Sequence, residues 1–176
     1  MMTSLGIDLS TKATGLVLLE EVPGAQPKVL IEAEVISPKK GWAQKSEIAR
    51  CVMEVVLSRM PDKIVLEGYS LNLQHASSVV PLVELGGLLR FMLFIDGFKW
   101  FDPRASEVKK FVTGKGNSPK DQVMMHVLKR WGHTSKSNNT ADAFVCAAMG
   151  LAHANRLAGV TVDMRAIVGK LGLTTA

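Results

Sequence analysis

Apolar residues in the first part of the chain fall in short segments that are typical of β-strands. Three segments are predicted to be extended, with turn residues between them: LGIDLS, in which apolar residues alternate with small or polar ones, then ATGLVLLEE and KVLIEAEVI. The period changes after Pro38, because apolar residues between Trp42 and Met60 recur at helical spacing. The short apolar segment KIVLEG then predicts a buried strand. Strand, helix and strand in this order favour parallel pairing.

Helical spacing dominates the second half of the chain. A long apolar helix is predicted from Ala76 to Ile95, and a short strand follows from Phe98 to Phe101. Three further helices are predicted to begin at Pro103, Ser118-Pro119 and Asn138-Asn139. We therefore expect an α/β protein in which three antiparallel strands are followed by parallel strands. In this interpretation residues 1–173 form a single domain and residues 174–176 are a frayed tail.

Composition limits the functional classes. With 176 residues, 47% of them hydrophobic and 21% charged, the chain can bury one ordinary core and is not disordered. A net charge of +5 favours a polyanionic partner. The N-terminus lacks the features of a secretory signal, and Glu84 and Arg90 interrupt the most apolar stretch, so we expect a cytoplasmic protein without a membrane span. Cys51 and Cys146 lack neighbouring metal ligands and are expected to be reduced thiols.

Three acidic residues stand at the ends of apolar segments: Asp8, Glu67 and Asp142. Strand alternation puts Asp8 on the same face as Gly6 and Ser10, whose small side chains leave room beside the carboxylate. Glu67 ends a buried strand, at the edge where open α/β sheets place ligands, and Asp142 falls in the first turn of a predicted helix. Two carboxylates about 4 Å apart repel each other by roughly 4 kcal/mol, a cost that divalent cations remove. Each acid alone is explained by solvation or helix capping, and only the set of three predicts a metal site.

On these residues the sequence resembles the RuvC-type Holliday junction resolvases of the ribonuclease H-like superfamily, particularly the forms carried by bacteriophages. The resemblance spans most of the chain and rests on segments in a fixed order: GIDLS with Asp8, the glutamate Glu67 that closes the fourth strand, ELGGLLR, VKKFVTGKGNSPK and NNTADA. It implies a ribonuclease H-like fold with a central mixed five-stranded sheet and helices on both faces. It also implies a homodimeric, magnesium-dependent endonuclease that makes paired nicks in four-way DNA junctions and leaves 5′-phosphates.

The same resemblance implies a set of metal ligands. Asp8, Glu67 and Asp142 would hold two Mg²⁺ ions in each active site, with Mn²⁺ as a substitute, and oxygen ligands suit these ions. Several relatives have an acid or a histidine where this chain has Asn139, whose amide oxygen is a further candidate ligand. The alternative for this position is capping of the helix by Asn138 or Asn139.

Four lysines surround the glycine turn TGKGN: Lys109, Lys110, Lys115 and Lys120. Amide and ammonium groups that converge before a helix suit phosphate, and the resemblance assigns DNA binding to these lysines. Lys110 and Lys120 match the family's lysines best, and Lys120 is the candidate for the scissile phosphate. The alternative is a solvated basic surface. The turn is not a nucleotide P-loop, because it follows a helix and lacks the required spacing, so no nucleotide cofactor is expected.

Two further features of the sequence each have two explanations. Tyr69, the only tyrosine, is by resemblance a candidate wedge that stacks on an unpaired DNA base, and packing beneath its loop is the other explanation. Gly86 and Gly87 lower the helix propensity of the long helix, a cost that close approach of another backbone would justify. Either the homodimer partner or the protein's own sheet supplies that approach.

Alternative functions stay open at this point. A broader nuclease that accepts flaps or duplex DNA would carry the same acids. A non-cleaving junction-binding module of the same fold is also compatible, although retention of all three acids argues against it. The segment GIDLSTKATGLVL resembles in addition the first phosphate loop of actin-like sugar kinases and ATPases, which require a second phosphate loop and about twice the length.

Overall fold

The computed structural model of the protein describes residues 1–69 and 76–174. Six strands form one sheet: β1 (Thr3–Asp8), β2 (Thr14–Glu20), β3 (Lys28–Val35), β4 (Lys63–Leu66), β5 (Trp100–Phe101) and β6 (Leu173–Thr174). The helices of the described residues are α1 (Gly41–Arg59), α2 (Ala76–Ile95), α3 (Ala105–Thr113), α4 (Lys120–Trp131), α5 (Asn138–His153) and α6 (Val162–Val168).

The sheet has the strand order β3-β2-β1-β4-β5-β6. Strands β1, β2 and β3 pair antiparallel, whereas β1 pairs parallel with β4, and β4 with β5. This confirms the predicted mixed sheet in an α/β fold. The chain direction also sets where ligands go, because the carboxyl ends of β1 and β4 lie at the same edge.

The predicted number of strands, five, was one too low. Strand β6 pairs antiparallel with β5, with Thr174 opposite Trp100. The sequence placed Thr174 in a frayed tail, and the structure instead fixes it on the free edge of β5. A two-residue strand is too short to show periodicity, so this pairing left no signal in the sequence. Residues 175–176 lie outside the described residues.

The two faces of the sheet bury two separate sets of apolar residues. Leu5 and Ile7 of β1 are fully buried against the layer that contains α1 and α2. Val17 of β2 and Val65 of β4 face the opposite layer, which contains α3, α4 and α5. The alternation predicted for β1 is therefore confirmed, and it leaves Gly6 and Asp8 on the α5 side of the sheet.

Helix α5 packs unusually close to the sheet because Gly6 has no side chain. A Cβ atom added at Gly6 would lie 1.9 Å from the carbonyl oxygen of Ala143 and 2.4 Å from the amide nitrogen of Ala147. Real atoms cannot approach so closely, so only glycine permits this helix position. Since Ala143 follows Asp142, the contact brings Asp142 to the same edge of the sheet as Asp8.

The beginning of α5 differs from the prediction in two respects. Ser137 precedes the helix, and its hydroxyl accepts a hydrogen bond from the amide of Thr140 at 3.2 Å. Ser137 is therefore the capping residue, and the alternative that Asn138 or Asn139 caps the helix is wrong. Because the helix begins at Asn138, Asp142 lies in its second turn rather than its first.

Two smaller observations complete the fold. Both cysteines are free thiols, with Cys146 fully buried in α5 and Cys51 partly buried in α1. Across residues 1–69 and 76–174, no helix combines the length and apolar character that a membrane span requires.

Candidate active site

The register of two parallel strands brings Asp8 and Glu67 together. Ile7 of β1 pairs with Leu66 of β4, and the amide of Glu67 donates a hydrogen bond to the carbonyl oxygen of Ile7 at 2.9 Å. Asp8 directly follows Ile7, and Glu67 directly follows Leu66. Because side chains alternate along a strand, both acids face the α5 side of the sheet. Asp142 reaches the same place from α5, and one carboxylate oxygen from each of the three acids lies within 4.8 Å of the others.

The three carboxyl groups are hard to ionise together. Burial, followed by the charge of Asp142, raises the pKa of Asp8 to about 7. Burial and the charges of Asp8 and Asp142 raise the pKa of Glu67 well above its ordinary value. Burial also raises the pKa of Asp142, although the charges of Lys120 and Lys109 oppose this effect. The site therefore concentrates negative charge that the protein alone neutralises only in part.

The donor set fits a divalent cation. Two carboxylate oxygens, Oε2 of Glu67 and Oδ1 of Asp142, are buried without a hydrogen-bond partner among the described residues. Buried polar atoms are normally satisfied, so orphaned oxygens that converge with a third carboxylate require a cation or water. Three hard oxygen ligands match Mg²⁺, Mn²⁺ or Ca²⁺ better than soft metals.

Cys146 lies one turn beyond Asp142 on α5 but does not contribute a ligand. Burial is the main reason that its pKa is raised well above the ordinary value, and the three carboxylates raise it further. A thiol that stays protonated is a poor metal ligand, because the thiolate is the coordinating form. The metal chemistry of this site is therefore that of oxygen ligands.

The structure separates the four predicted lysines. The charges of Lys109 and Lys120 act on the carboxylates: Lys120 lowers the pKa of Asp8 and Asp142, and Lys109 lowers that of Glu67 and Asp142. Lys110, the next residue of α3, instead lines a groove of about 240 Å³ between α3 and α6. Of the two neighbours, Lys109 therefore faces the acids, although the sequence favoured Lys110.

Lys115 stands in the turn between α3 and α4 on a firmly held backbone. Its amide donates to Oγ1 of Thr113 at 3.1 Å, and its carbonyl oxygen accepts from the hydroxyls of Thr113 and Ser118 at 2.9 and 3.1 Å. The residue is exposed. The turn thus presents an ammonium group to solvent from a rigid base, an arrangement suited to a phosphate of the DNA backbone.

Asn139 lies beside a carboxylate of β3. Its amide nitrogen donates to Oε1 of Glu34 at 3.1 Å, and the same oxygen accepts from the hydroxyl of Ser137. This bond fixes which end of the amide faces Glu34, so the amide oxygen points away from that carboxylate. The residue is held in one orientation but is not the helix cap.

Tyr69 is engaged within the chain. Its hydroxyl donates to the carbonyl oxygen of Val83 at 3.1 Å and accepts from Nη1 of Arg90 at 2.7 Å. The guanidinium carbon of Arg90 lies 4.6 Å from the ring centroid. These contacts with α2 favour packing over a free wedge. The loop that follows Tyr69, residues 70–75, lies outside the described residues.

The paired glycines of α2 have different surroundings. A Cβ at Gly86 would lie 2.1 Å from Oη of Tyr69, so side chains of the same chain fill the space beside Gly86. Gly87 is exposed and has open space around it. Apolar side chains follow the same side of the helix: Val80, Val83, Phe91 and Phe94 are 55%, 39%, 60% and 49% exposed. We call Gly87 and these four residues the α2 face.

Sequence reasoning missed Arg90 and Asp102. Arg90 was noted as an interruption of an apolar stretch and as the last residue of ELGGLLR, without a role, and Asp102 only as the residue before a helix-starting proline. In the structure both nitrogens of the Arg90 fork bind the Asp102 carboxylate, Nε at 2.9 Å and Nη2 at 2.7 Å. A charged residue inside a long apolar helix was the available signal, since such residues need a partner.

The open surface beside Asp8 and Glu67 is shallow. As bounded by the described residues, its pocket has a volume of about 120 Å³ and includes Gly68, Tyr69 and Leu82. Sites that enclose a small molecule are usually several times larger, roughly 300–1,000 Å³. The surface suits a phosphate of a long polymer better than an enclosed nucleotide. Three converging carboxylates at the end of β1 and β4, in this fold, define a metal-dependent nuclease of the ribonuclease H-like class.

Comparison with known proteins specifies the family. The sequence model described as crossover junction endodeoxyribonuclease RuvC matches residues 4–153. The chain belongs to the RuvC family. A relative of that name from Campylobacter hominis is 31% identical over 165 residues, which cover 90% of this chain and 99% of the relative. The predicted family and the predicted endonuclease activity are thus confirmed, and the actin-like alternative is removed.

Solved structures agree on the fold. The structure of T. thermophilus RuvC in complex with Holliday junction substrate is 20% identical, with a TM-score of 0.71 over 99% of this chain and 100% of that chain. The yeast mitochondrial Holliday junction resolvase Ydc2 is 11% identical, with a TM-score of 0.63 over 94% of this chain and 80% of that chain. These matches confirm the ribonuclease H-like fold. The likeness to bacteriophage forms stays a prediction.

Proposed function

We propose that this protein resolves four-way DNA junctions by paired nicks, with two Mg²⁺ ions held by Asp8, Glu67 and Asp142. The observation that carries the proposal is the convergence of these carboxylates, with unpartnered oxygens, at the edge of the sheet where Lys109 and Lys120 also act. Membership of the RuvC family supports the substrate, since a solved relative is described in complex with a Holliday junction. Mn²⁺ is expected to replace Mg²⁺. A cytoplasmic location accords with an enzyme that acts on DNA.

The proposed reaction is hydrolysis of one phosphodiester in each of two opposing strands. When bound, the divalent ions would lower the pKa of the attacking water and stabilise the departing 3′ oxygen. The carboxylates of Asp8, Glu67 and Asp142 hold negative charge in place for this purpose, and Lys120 binds the phosphate as its charge redistributes. The water oxygen joins phosphorus and the bond to the 3′ oxygen breaks. The nick then keeps a 5′-phosphate and a 3′-hydroxyl, which a ligase can seal.

The proposal is tested by strand cleavage of an end-labelled synthetic four-way junction, with a flap and a linear duplex as controls. Each substrate is incubated with Mg²⁺, Mn²⁺ or a chelator. Symmetric nicks on the junction, present with either metal and absent with chelator, are expected. Cleavage of all three substrates would favour the broader nuclease instead. Junction binding without cleavage under every condition would favour a binding module of the same fold.

We further propose that the active form is a homodimer that packs through the α2 face. Exposed apolar side chains surround Gly87, and open space at Gly87 lets a second helix backbone approach. Two active sites related by two-fold symmetry would then face two strands of one junction.

The Gly87→Arg variant is expected to be monomeric, because a long charged side chain would separate the two helices. Sedimentation velocity at micromolar concentration checks this, and paired nicks should become rare relative to single ones. Gln122→Arg is the matched control, since Gln122 is exposed on α4 in the opposite layer. A Gly87→Arg protein that sediments like the wild type would place the dimer interface elsewhere.

Lys115→Ala is expected to reduce the salt dependence of junction binding. Each phosphate contact changes the slope of log K against log salt by about 0.9, so loss of one contact should lower the slope by that amount. Fluorescence anisotropy over a salt series measures it. Lys28→Ala, at the start of β3 and away from the carboxylates, should leave the slope unchanged. An equal slope in wild type and Lys115→Ala would make Lys115 a solvated surface residue.

We also propose that the amide oxygen of Asn139 is a metal ligand, so Asn139→Asp is expected to change metal binding. The new carboxylate would add a hard charged ligand but would also face Glu34, which now accepts the amide hydrogen bond. Calorimetric titration with Mn²⁺ should therefore show an altered affinity or stoichiometry. Identical titrations for both proteins would limit Asn139 to orienting the start of α5 against β3.

A further inference from the structure

The segment that carries Glu67 leaves the sheet almost at once. Strand β4 has four residues, and its ladder with β5 has a single register position, Val65 with Phe101. Beyond the strand, Gly68 contacts the segment that follows β5: its amide donates to the carbonyl oxygen of Pro103 at 2.7 Å, and it forms an isolated bridge with Arg104. The Glu67 backbone is held by Ile7 of β1 on one side, so the remaining freedom of its carboxylate depends on how firmly residues 102–104 hold Gly68.

Arg90 of α2 ties this region together. Two of its nitrogens bind the carboxylate of Asp102, and the third, Nη1, donates to the hydroxyl of Tyr69. The Arg90 side chain is only 17% exposed. Contacts thus run in a closed ring, from Gly68 and Tyr69 to Arg90, on to Asp102, and through Pro103 back to Gly68.

The sequence leaves room for this ring at one position of α2. A Cβ at Gly86 would lie 2.1 Å from the hydroxyl oxygen of Tyr69 and 2.6 Å from Nη1 of Arg90. A glycine inside a helix costs roughly 1 kcal/mol relative to alanine. The helix therefore loses some stability and, in return, accommodates the contact of Arg90 with Tyr69, which is two residues after Glu67.

Only arginine can make all three contacts. Its planar guanidinium offers a two-pronged face to a carboxylate and a further N–H at a fixed angle, and it stacks on an aromatic ring. Lysine would keep the positive charge but would lose the bidentate geometry. Comparing the wild type with an Arg90→Lys variant therefore separates the effect of bidentate geometry from the effect of positive charge.

We infer that Arg90 is a positioning residue, which holds Glu67 in place for divalent metal binding through Tyr69 and Asp102. This inference rests on the proposed role of Glu67 as a metal ligand. Groups that orient metal ligands typically change metal affinity by 10- to 100-fold when they are removed. Arg90 also belongs to α2 and lies one turn from Gly87, at the border of the α2 face, so one helix braces the metal site and lies at the proposed dimer contact.

The test measures Mn²⁺ binding to the DNA-free protein by calorimetry, for wild type, Arg90→Lys and Arg90→Gln. Both variants are expected to bind Mn²⁺ about tenfold more weakly, and cleavage should recover toward the wild-type rate at saturating metal. Amide exchange of Gly68 without metal should become faster in both. Arg50→Gln is the matched control, because Arg50 pairs with Glu54 on the solvent side of α1. It should behave like the wild type in each measurement.

Tyr69→Phe and Asp102→Asn keep the shape of the ring members and provide a test if the Arg90 variants do not fold. Each is expected to weaken Mn²⁺ binding and to speed exchange at Gly68. Wild-type affinity in the folded variants would overturn the inference while leaving the proposed function intact. Conversely, a wild type that binds Mn²⁺ but does not cut junctions would overturn the proposed function and leave the role of Arg90 standing.

Discussion

The Asp8→Asn variant is expected to lose strand cleavage and, when no divalent ion is present, to be more stable than the wild type. Cleavage should fall by at least about 10³-fold, the loss that follows removal of a group worth roughly 4 kcal/mol of transition-state stabilisation. Stability should rise because asparagine removes a carboxylate that burial and the charge of Asp142 make costly to ionise. Function and stability thus oppose each other at this residue.

The stability difference should depend on pH. Asp8 has an ordinary pKa near 4 when unfolded and a pKa of about 7 when folded, so the folded protein binds this proton more tightly. Asp8 therefore contributes stability to the metal-free wild type that is fully present below about pH 4 and is lost as pH rises from about 4 to 7. Asp8→Asn lacks this proton and should show a smaller loss over the same range.

Thermal unfolding in chelator, followed by circular dichroism between pH 5 and 8, measures the effect. A gain of about 1 kcal/mol corresponds to roughly 2–4 °C for a domain of this size. Asp96→Asn is the control, because Asp96 is exposed in the turn after α2. Adding Mg²⁺ should stabilise the wild type more than Asp8→Asn, since bound ions remove the repulsion. Retained cleavage by Asp8→Asn would refute the assignment of the site.

Much of the site followed from local patterns. The alternation in β1 predicted which side of the strand Asp8 faces, and the apolar segment before Glu67 predicted a strand end. Parallel pairing of the two strands then placed the acids together. The spacing of apolar residues and the order of strand, helix and strand are both visible in the sequence, so they predict these features before the structure is known.

Contacts between distant segments could not be predicted in this way. The ring that joins Tyr69, Arg90 and Asp102 spans three separate segments of the chain, and no local pattern indicated that these residues contact one another. Strand β6 likewise exists only because β5 has an open edge. The close approach of α5 to Gly6 was visible only as a small residue beside Asp8, and which helix would fill that space was not.

The directions of the lysine side chains also depend on contacts between distant segments. Neighbouring residues of a helix point about 100° apart, so Lys109 and Lys110 face different surroundings. The sequence placed both near the glycine turn, but their facing depends on how α3 packs against α5 and α6. The structure turns Lys109 toward the carboxylates and Lys110 toward the α3–α6 groove.

Lys120→Ala is expected to reduce cleavage by about 10²-fold, while Lys110→Ala should stay within a few-fold of the wild type. Lys120 is proposed to stabilise the reacting phosphate, and removal of one such group typically costs 10²–10³ in rate. A lysine in the α3–α6 groove has no comparable position. Single-turnover cleavage of the four-way junction at saturating Mg²⁺ gives both values. Equal losses for the two variants would indicate a shared role in DNA binding rather than a place for Lys120 beside the reacting phosphate.

The pH dependence of the Lys120→Ala reaction separates its two contributions. The charge of Lys120 lowers the pKa of Asp8 and Asp142, so its removal should raise both and make protons compete more strongly with the metal. The rate at subsaturating Mg²⁺ should then reach its plateau at a higher pH than in the wild type. At saturating Mg²⁺ this shift should shrink while the loss of rate persists, because metal occupancy is restored but the phosphate contact is not. A rate fully restored by metal would reduce Lys120 to an electrostatic neighbour of the carboxylates.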